Sequence, residues 1–272
     1  MPEPDAVFEE HRPALARLAY RMLGSLADAD DVVQDAYLRW TRANRAPVEA
    51  PRAYLFSVVT NLCIDRRQAI DARKEAYVGP WLPEPVVETD PSRGIEAAES
   101  VSLALLVVLE ALTPLERAAF LLKRVFNYDY AEIAAMLGKA EPACRQLVSR
   151  AERQVHERRP RFEADPVEAE RLTGAFLNAC ATGDLDGLLS VLAPDAVFVS
   201  DGGGKATAAL VPIRGADRVA RLFLGLTRKA PAGTEYRRVW VNGRPGLIAV
   251  YQGQVANVLT FDVADERIVA CY

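Results

Sequence analysis

The chain has two histidines and four cysteines in 272 residues, and neither residue type is clustered. Because they lack the spacing of metal ligands, we expect no metal site, no bound cofactor and no histidine-based catalysis. The cysteines fit buried positions in a reducing compartment. There is no run of 18 apolar residues and no apolar stretch typical of a secretory signal. These absences predict a cytoplasmic protein without a membrane segment.

The chain also lacks the positive excess typical of nucleic-acid-binding proteins, since its formal net charge is −4. Its charges are unevenly distributed, however: residues 139–161 hold seven basic and three acidic side chains, whereas residues 28–35 and 84–99 are enriched in acid. A second basic cluster consists of Arg66, Arg67, Arg73 and Lys74. Local patches decide phosphate binding, so a nucleic-acid function stays open.

Residues 128–155 carry the most informative pattern, which predicts two short helices joined by a turn at Gly138. The apolar stripe of the first helix is Tyr130, Ile133, Ala134 and Leu137, and that of the second is Cys144, Leu147, Val148, Ala151 and Val155. The opposite face of the second helix carries side chains suited to base edges and phosphates: Arg145, Gln146, Ser149, Arg150 and Arg153. The pattern favours a DNA-reading helix-turn-helix; a helical hairpin with a solvated polar face is the alternative.

The N-terminal part of the chain predicts helices. In residues 1–75, Ser25 is placed to cap a second helix and Pro51 to begin a third. Residues 76–100 contain prolines, glycines and acids that exclude a continuous helix and predict an extended linker. Helical signal resumes near Ile95, and Thr113-Pro114-Leu115-Glu116 predicts a capped helix start.

The C-terminal part mixes both kinds of element. Helices are predicted over residues 167–181, 184–193 and 215–229. Strands are predicted within residues 196–201, 206–213, 234–241, 247–253, 256–263 and 267–272. Many strands after a few helices predict an α+β domain with a curved antiparallel sheet.

Three motifs in order resemble bacterial sigma factors of the extracytoplasmic-function type. They are DADDVVQDAYLRWTR at 28–42, APRAYLFSVVTNLCIDRRQ at 50–68 and LTPLERAAFLLKRVFNYDYAEIAAMLGKAEPACRQLVSRAER at 112–153. WLPEP at 81–85 and DGGGK at 201–205 resemble the subgroup with a fused SnoaL-like domain. The resemblance implies two all-α domains, sigma region 2 at 1–75 and sigma region 4 at 101–162, then a cone-shaped α+β domain at 166–272. Asp201 departs from the family, which more often has Asn there.

The resemblance also implies partners for the first two motifs, namely core RNA polymerase, through its largest-subunit clamp helices and its flap, and promoter DNA. The residues implied in polymerase binding are Asp28, Asp31, Gln34, Asp35 and Arg39. An acid-biased helix start favoured by the helix dipole is the alternative.

The residues implied in reading the −10 element, placed away from the buried stripe of their helix, are Tyr54, Asn61, Asp65, Arg66 and Arg67. Arg suits phosphates, Tyr stacks on bases and Asn bonds a flipped base edge. The loop at 44–50 is where the family forms its flipped-base pocket, and the −35 element falls to the helix-turn-helix.

Two further segments are implied in regulation between domains. One is the linker motif of Trp81, Leu82, Pro83, Glu84 and Pro85, and the other is the loop of Asp201, Gly202, Gly203, Gly204 and Lys205. A stiff spacer and an ordinary loop are the alternatives. The glycine loop lacks the spacing of a phosphate-binding P-loop.

Two rival functions remain. An enzyme joined to a DNA-binding module would use Asp201, Asp217, Tyr251 or Asp262 in a C-terminal pocket, which could also hold an unknown small molecule. No spacing singles out an acid–base pair among these four. A repressor that never contacts polymerase would not need the helices at 28–42 and 51–68. The sequence therefore favours a non-enzymatic transcription initiation factor whose activity is modulated by its C-terminal domain.

Overall fold

The computed structural model describes residues 4–42, 50–88, 102–158, 165–204 and 206–272. The chain forms two compact units. The first contains Met1–Ala76 and Leu106–Arg158, and the second contains Tyr77–Leu105 and Arg159–Tyr272. The linker that separates the two helical modules in sequence therefore groups with the C-terminal domain.

Three helices form the first half of the first unit: α1 (Pro4–Leu23), α2 (Leu26–Arg42) and α3 (Pro51–Glu75). The Ser25 hydroxyl accepts a hydrogen bond from the Asp28 amide at 3.3 Å, so the predicted cap of α2 is confirmed. Pro51 begins α3 as expected, but the helix extends beyond the predicted end at residue 68. The helices pack through fully buried side chains that include Leu15, Leu18, Met22, Leu55 and Val59.

The described part of this unit continues with four helices: α4 (Leu103–Leu109, which enters the unit at Leu106), α5 (Pro114–Arg124), α6 (Tyr130–Leu137) and α7 (Glu141–Arg158). Thr113 and Glu116 form the predicted reciprocal cap of α5. Gly138 ends α6 with a left-handed backbone at φ 60°. The predicted helix pair at 128–155 is therefore confirmed. The start of the helical signal near Ile95 lies outside the described residues.

In its described residues, the second unit combines a sheet with three helices, α8 (Pro166–Thr182), α9 (Leu185–Val191) and α10 (Ala216–Lys229). Its strands are β1 (Val87–Glu88), β2 (Leu192–Phe198), β3 (Ile213–Arg214), β4 (Glu235–Val241), β5 (Arg244–Tyr251), β6 (Gln254–Ala264) and β7 (Arg267–Cys271). Their order is β1-β4-β5-β6-β7-β2-β3, and only the β2–β7 pairing in this sheet is parallel. The predicted α+β class is confirmed.

The strand predicted over residues 206–213 is wrong for most of its length, since only Ile213 at its end joins β3. Leu210 and Val211 are instead exposed. Apolar composition alone does not create a strand, because a strand also needs a partner for its backbone groups.

Aromatic packing and tight turns fix this domain. The Phe176 ring on α8 lies 4.9 Å from the rings of both Phe223 and Phe261, which joins the helices to the sheet. Asn242 and Gly243, with φ values of 49° and 68°, form the turn between β4 and β5. Two consecutive left-handed residues match the twist of an antiparallel hairpin.

Candidate functional site

The acidic face of α2 is partly engaged within its own module. The Arg66 Nε atom on α3 donates to Asp28 at 2.8 Å, and its second nitrogen donates to Asp31 at 2.9 Å. Asp28 is half-buried, so its predicted place on an exposed face is only partly met. Gln34, Asp35 and Arg39 are exposed. Asp28 and Asp31 therefore neutralise Arg66, and Asp35 remains available to a cationic partner.

The predicted DNA face of α3 is divided. Asn61, Asp65 and Arg66 are exposed and Tyr54 is half-buried. The expectation that Arg67 lies away from the buried stripe is wrong, since its side chain is 2% exposed. Cys63, Arg67 and Ile70 follow a helical spacing that continues the buried face of α3. The loop at 44–50 lies almost entirely outside the described residues.

The second helix of the helix-turn-helix has the two faces that the sequence predicts. All five residues of its apolar stripe are buried. Its opposite face is exposed and lines an open depression of about 450 Å³, formed by Arg145, Gln146, Ser149, Arg150 and Arg153. The Arg145 guanidinium lies 4.3 Å from the centre of the Tyr130 ring and is paired with Glu141. Arg150 is paired with the capping Glu116 at 3.0 Å.

The two helical modules contact each other through the α3 surface. Ser57 Oγ and Asn61 Nδ2 both donate to the carbonyl oxygen of Met136 in α6, at 3.3 Å and 3.1 Å. The buried Phe56 ring packs 5.0 Å from Phe126 and 5.3 Å from Tyr128. Asn61, a predicted base-reading residue, therefore holds the helix-turn-helix in this structure.

A buried group of charges lies at the same module boundary; we call it the Glu110 cluster. Arg67 on α3 donates to both Glu110 carboxylate oxygens, at 3.0 Å and 2.6 Å. Arg117 on α5 donates to Glu110 at 2.7 Å, and Lys74 is also paired with Glu110. Asp71 pairs with Arg67 at 2.9 Å. Three cations thus converge on one carboxylate that is 12% exposed.

Backbone carbonyl groups at the end of α1 support this cluster. The Arg117 Nε atom donates to the Arg21 carbonyl at 2.7 Å, and Arg67 donates to the Met22 carbonyl at 3.3 Å. Carbonyl oxygens at a helix C-terminus favour cations. Burial lowers the pKa of Arg117, and burial together with the charges of Arg67 and Arg117 lowers the pKa of Lys74 to about 7.

The loop at 201–204 binds the linker through the Asp201 carboxylate. One oxygen accepts from the Tyr77 hydroxyl and from the Gly203 amide at 2.7 Å. The other accepts from the Leu82 amide at 2.8 Å. The hydrogen bond to Asp201 raises the pKa of Tyr77. Two separate points of the linker are thus held by one side chain, which we call the Asp201 clamp.

Glycine is required for this loop to approach itself. A Cβ atom on Gly202 would lie 2.0 Å from the Ala206 carbonyl oxygen, a distance that a side chain cannot adopt.

The linker motif is partly buried. Trp81 packs edge-on to the Tyr77 ring at 5.3 Å, and Pro83 is buried. Leu82 and Pro85 are half-buried and Glu84 is exposed. Lys205 lies outside the described residues.

The linker also joins the sheet as an edge strand. Val87 and Glu88 of β1 pair with Val241 and Trp240 of β4. The buried Asn242 extends this pairing. Its side-chain oxygen accepts from the backbone amide of Val86 at 3.0 Å, and its backbone amide donates to the Val86 carbonyl oxygen at 2.9 Å. This is strand addition to a sheet edge, in which backbone hydrogen bonds provide the attachment.

The four residues considered for catalysis have different surroundings. Asp201 holds the linker, and Asp217 is paired with Arg221 on the exposed side of α10 at 2.9 Å, an interaction that lowers the pKa of Asp217. Tyr251 accepts from Gln252 at the β5–β6 turn. Burial is the main cause of a raised pKa of Tyr272, and the charge of Asp262 on β6 contributes to it. Among the described residues, no three His, Cys, Asp or Glu side chains are arranged to hold a metal ion.

Comparison with known proteins places this geometry in a family. Residues 7–73 match Sigma-70 region 2, and residues 102–155 match Sigma-70, region 4. The ECF RNA polymerase sigma factor SigJ of Mycobacterium tuberculosis is 38% identical over 97% of this chain and 89% of its own length. The chain belongs to the ECF RNA polymerase sigma factors. It is therefore a transcription initiation factor that acts with core RNA polymerase and promoter DNA.

The likeness of this sigma factor extends across the C-terminal domain. The crystal structure of Mycobacterium tuberculosis SigJ matches it with a TM-score of 0.78 and 37% identity, covering 97% of this chain and 93% of that one. The probable ECF RNA polymerase sigma factor SigI of the same organism is 33% identical over 97% of this chain and 90% of its own length. No helix in the described parts of this sigma factor has both the length and the apolar character needed to cross a bilayer.

Sequence reasoning missed three residues that organise these sites. Glu110 carried a signal, because it is a lone acid within the apolar run 103–112. Asn242 carried another, since Asn-Gly between two strands indicates a tight hairpin. Tyr77 carried none, because nothing nearby in sequence indicates a partner 124 residues away.

Proposed function

We propose that the C-terminal domain regulates this sigma factor without catalysis, by holding the linker between regions 2 and 4. The observation that carries the proposal is the Asp201 clamp, in which Tyr77 and Leu82 bind one carboxylate. Strand β1 provides a second attachment. The linker joins the two modules covalently, so its conformation limits how far apart they can lie. The protein acts in the cytoplasm, where core polymerase and promoter DNA are found.

Transcription in vitro with purified core polymerase tests this role. The full-length parent is compared with Asp201→Ala, Trp81→Ala and Asp195→Ala. Asp195 is an exposed acid on β2 and serves as the matched control. We expect the first two variants to change the amount of transcript without changing promoter preference, and the control to match the parent. Parental transcription from both Asp201→Ala and Trp81→Ala would refute regulation through the linker.

The exposed acidic face of α2 is proposed to bind the clamp helices of the largest polymerase subunit. Asp35 gives the cleaner test, because it is exposed whereas Asp31 is paired with Arg66. Asp35→Lys should weaken association with core polymerase while preserving the fold. Glu170→Lys, an exposed charge reversal on α8, is the control. Co-purification of Asp35→Lys with core at the parental level would remove α2 from this role.

The exposed face of α7 is proposed to read the −35 element, while α3 reads the −10 element. Replacing Arg145 or Gln146 by Ala should change promoter preference by about 1–3 kcal/mol for each lost base contact. Replacing Arg158 or Arg159, whose side chains lie outside the described residues, should lower affinity for all sequences and reduce the salt dependence. If the two classes of variant behave alike, the proposed reading face is wrong.

A further inference from the structure

The contact between regions 2 and 4 uses the same α3 surface that we propose reads the −10 element. The Asn61 amide and the Ser57 hydroxyl both donate to the Met136 carbonyl oxygen. One amide cannot bond this carbonyl and a flipped base edge with the same hydrogens. In this conformation the helix-turn-helix therefore occupies part of the surface proposed for the unpaired promoter strand.

The Glu110 cluster crosses the same boundary. Arg67 comes from region 2, whereas Glu110 and Arg117 come from the segment of region 4. Arg67 and Arg117 are 2% and 1% exposed, so both guanidinium groups are removed from water. Glu110 is the shared acceptor for both. Without it, two buried cations from different modules would face each other with the partly exposed Asp71 as their remaining acid.

A boundary that contains buried charges opens more readily than one made of apolar side chains alone. Buried ion pairs gain little net stability over apolar packing, because desolvation offsets their attraction. When the two modules separate, each charged group regains water, whereas exposed apolar side chains would favour reassociation. The Glu110 part of the boundary, which accompanies the apolar packing of Phe56 on Phe126 and Tyr128, therefore holds the modules together and still lets them part.

We propose that the Glu110 cluster is an autoinhibitory latch, which keeps regions 2 and 4 closed on the −10-reading surface of α3 until polymerase or promoter DNA binds the open form. A ligand shifts this equilibrium only by its preference for the open form. The apparent affinity of the free protein for a promoter is thus the affinity of the open form multiplied by the fraction of molecules that are open. The autoinhibitory part of the inference rests on the proposed role of Asn61, whereas the closure itself does not.

Fluorescence energy transfer in the full chain measures the closure directly. Donor and acceptor dyes are placed at Ala27→Cys on α2 and Glu157→Cys on α7, two exposed positions, while the four native cysteines are buried. Glu110→Gln should open the modules and lower the transfer efficiency relative to the parent. Glu152→Gln removes a carboxylate from the exposed Arg124 pair within region 4 and should leave the transfer unchanged.

A second variant closes the boundary with apolar side chains. Arg67→Met combined with Glu110→Leu and Arg117→Leu should keep the parental transfer efficiency and reduce transcription with core polymerase by about tenfold or more, since about 1.4 kcal/mol of added closure is a tenfold population shift. This variant decides the question if Glu110→Gln loses helical content by circular dichroism.

The outcomes separate the two proposals. Parental transfer in a folded Glu110→Gln variant overturns the latch, as does parental transcription by a closed apolar variant. If Glu110→Gln opens the modules but Asn61→Ala leaves promoter opening unchanged, the latch stands as a conformational contact, autoinhibition at the −10-reading surface is refuted, and the proposed role of Asn61 fails.

Discussion

Two carboxylates in this protein each gather three partners, and the partners differ in kind. Glu110 binds the cationic side chains of Arg67, Arg117 and Lys74. Asp201 binds one hydroxyl group and two backbone amides. Glu110 pairs with buried cations, which are strongly destabilising without a counter-charge. Asp201 instead accepts hydrogen bonds from neutral donors at a half-buried surface. Loss of Glu110 should therefore destabilise its whole cluster. Loss of a single donor should weaken the Asp201 clamp only in part.

The largest expected effect is the loss of Glu110. Glu110→Ala should lower the free energy of unfolding of the closed form by about 3–5 kcal/mol, because it leaves two buried cations with the partly exposed Asp71 as their remaining acid. Arg117→Met should cost less, since removing one of three cations relieves repulsion between Arg117 and Arg67. Urea unfolding of the full chain measures both. Glu152→Ala, at an exposed pair, should stay within about 1 kcal/mol of the parent. Equal losses for Glu110→Ala and Arg117→Met would contradict the central role of Glu110.

A smaller effect is expected at Asp201. Asp201→Ala removes the acceptor for three donors and should cost about 1–3 kcal/mol of local stability in the clamp. The exchange of the Leu82 amide hydrogen reports this opening, and it should become about ten- to a hundredfold faster. Asp201→Asn keeps one acceptor oxygen, so its effect should be intermediate. Exchange at the parental rate in Asp201→Ala would show that the clamp does not hold the linker.

The pH dependence of stability sharpens the comparison, because the charged cluster contains an amine with a pKa of about 7. Lys74 faces Arg67, Arg117, Glu110 and Asp71, and its pKa in the folded chain is about 7 against an ordinary value of 10.5. Below pH 7 the amine is protonated in both states, so its burial cost is complete. Between about pH 7 and pH 10 the folded chain binds fewer protons than the unfolded one, so stability rises with pH.

Lys74→Met tests this dependence. The variant should lose part of the rise in unfolding free energy between pH 7 and pH 9. The difference in slope from the parent should be less than about 1.4 kcal/mol per pH unit, the limit for one proton. Identical pH profiles for the parent and Lys74→Met would place the Lys74 amine in water rather than in the cluster.

Local chemistry explains what the sequence could predict. The helix-turn-helix was predictable because its apolar stripes, the Thr113–Glu116 cap and the Gly138 turn all act over a few residues. The exposed face of α7 follows from the same periodicity. The α+β class of the C-terminal domain was predictable from many β-rich runs that follow a few helices.

Pairings between distant segments explain what it could not. Arg67 was placed on the DNA face because its charge suggests phosphate binding, but its counter-charge on Glu110 lies 43 residues away. The edge strand β1 was hidden because two residues form no recognisable pattern. In both cases the decisive partner is supplied by tertiary structure, which local propensity does not encode.

The smallest expected effect, at Tyr77, distinguishes the hydroxyl group from the aromatic ring in the Asp201 clamp. Tyr77→Phe removes the donor to Asp201 and the acceptor for the Gly204 amide at 3.3 Å, but keeps the ring against Trp81. Asp201 retains its two backbone donors, so the loss should be about 1 kcal/mol. Exchange of the Leu82 amide should then be about fivefold faster than in the parent, and slower than in Asp201→Ala. Tyr77→Ala, which removes the ring as well, should match or exceed the effect of Asp201→Ala if the Trp81 contact contributes. An effect of Tyr77→Phe as large as that of Asp201→Ala would mean that the hydroxyl group, rather than the carboxylate with its backbone donors, holds the linker.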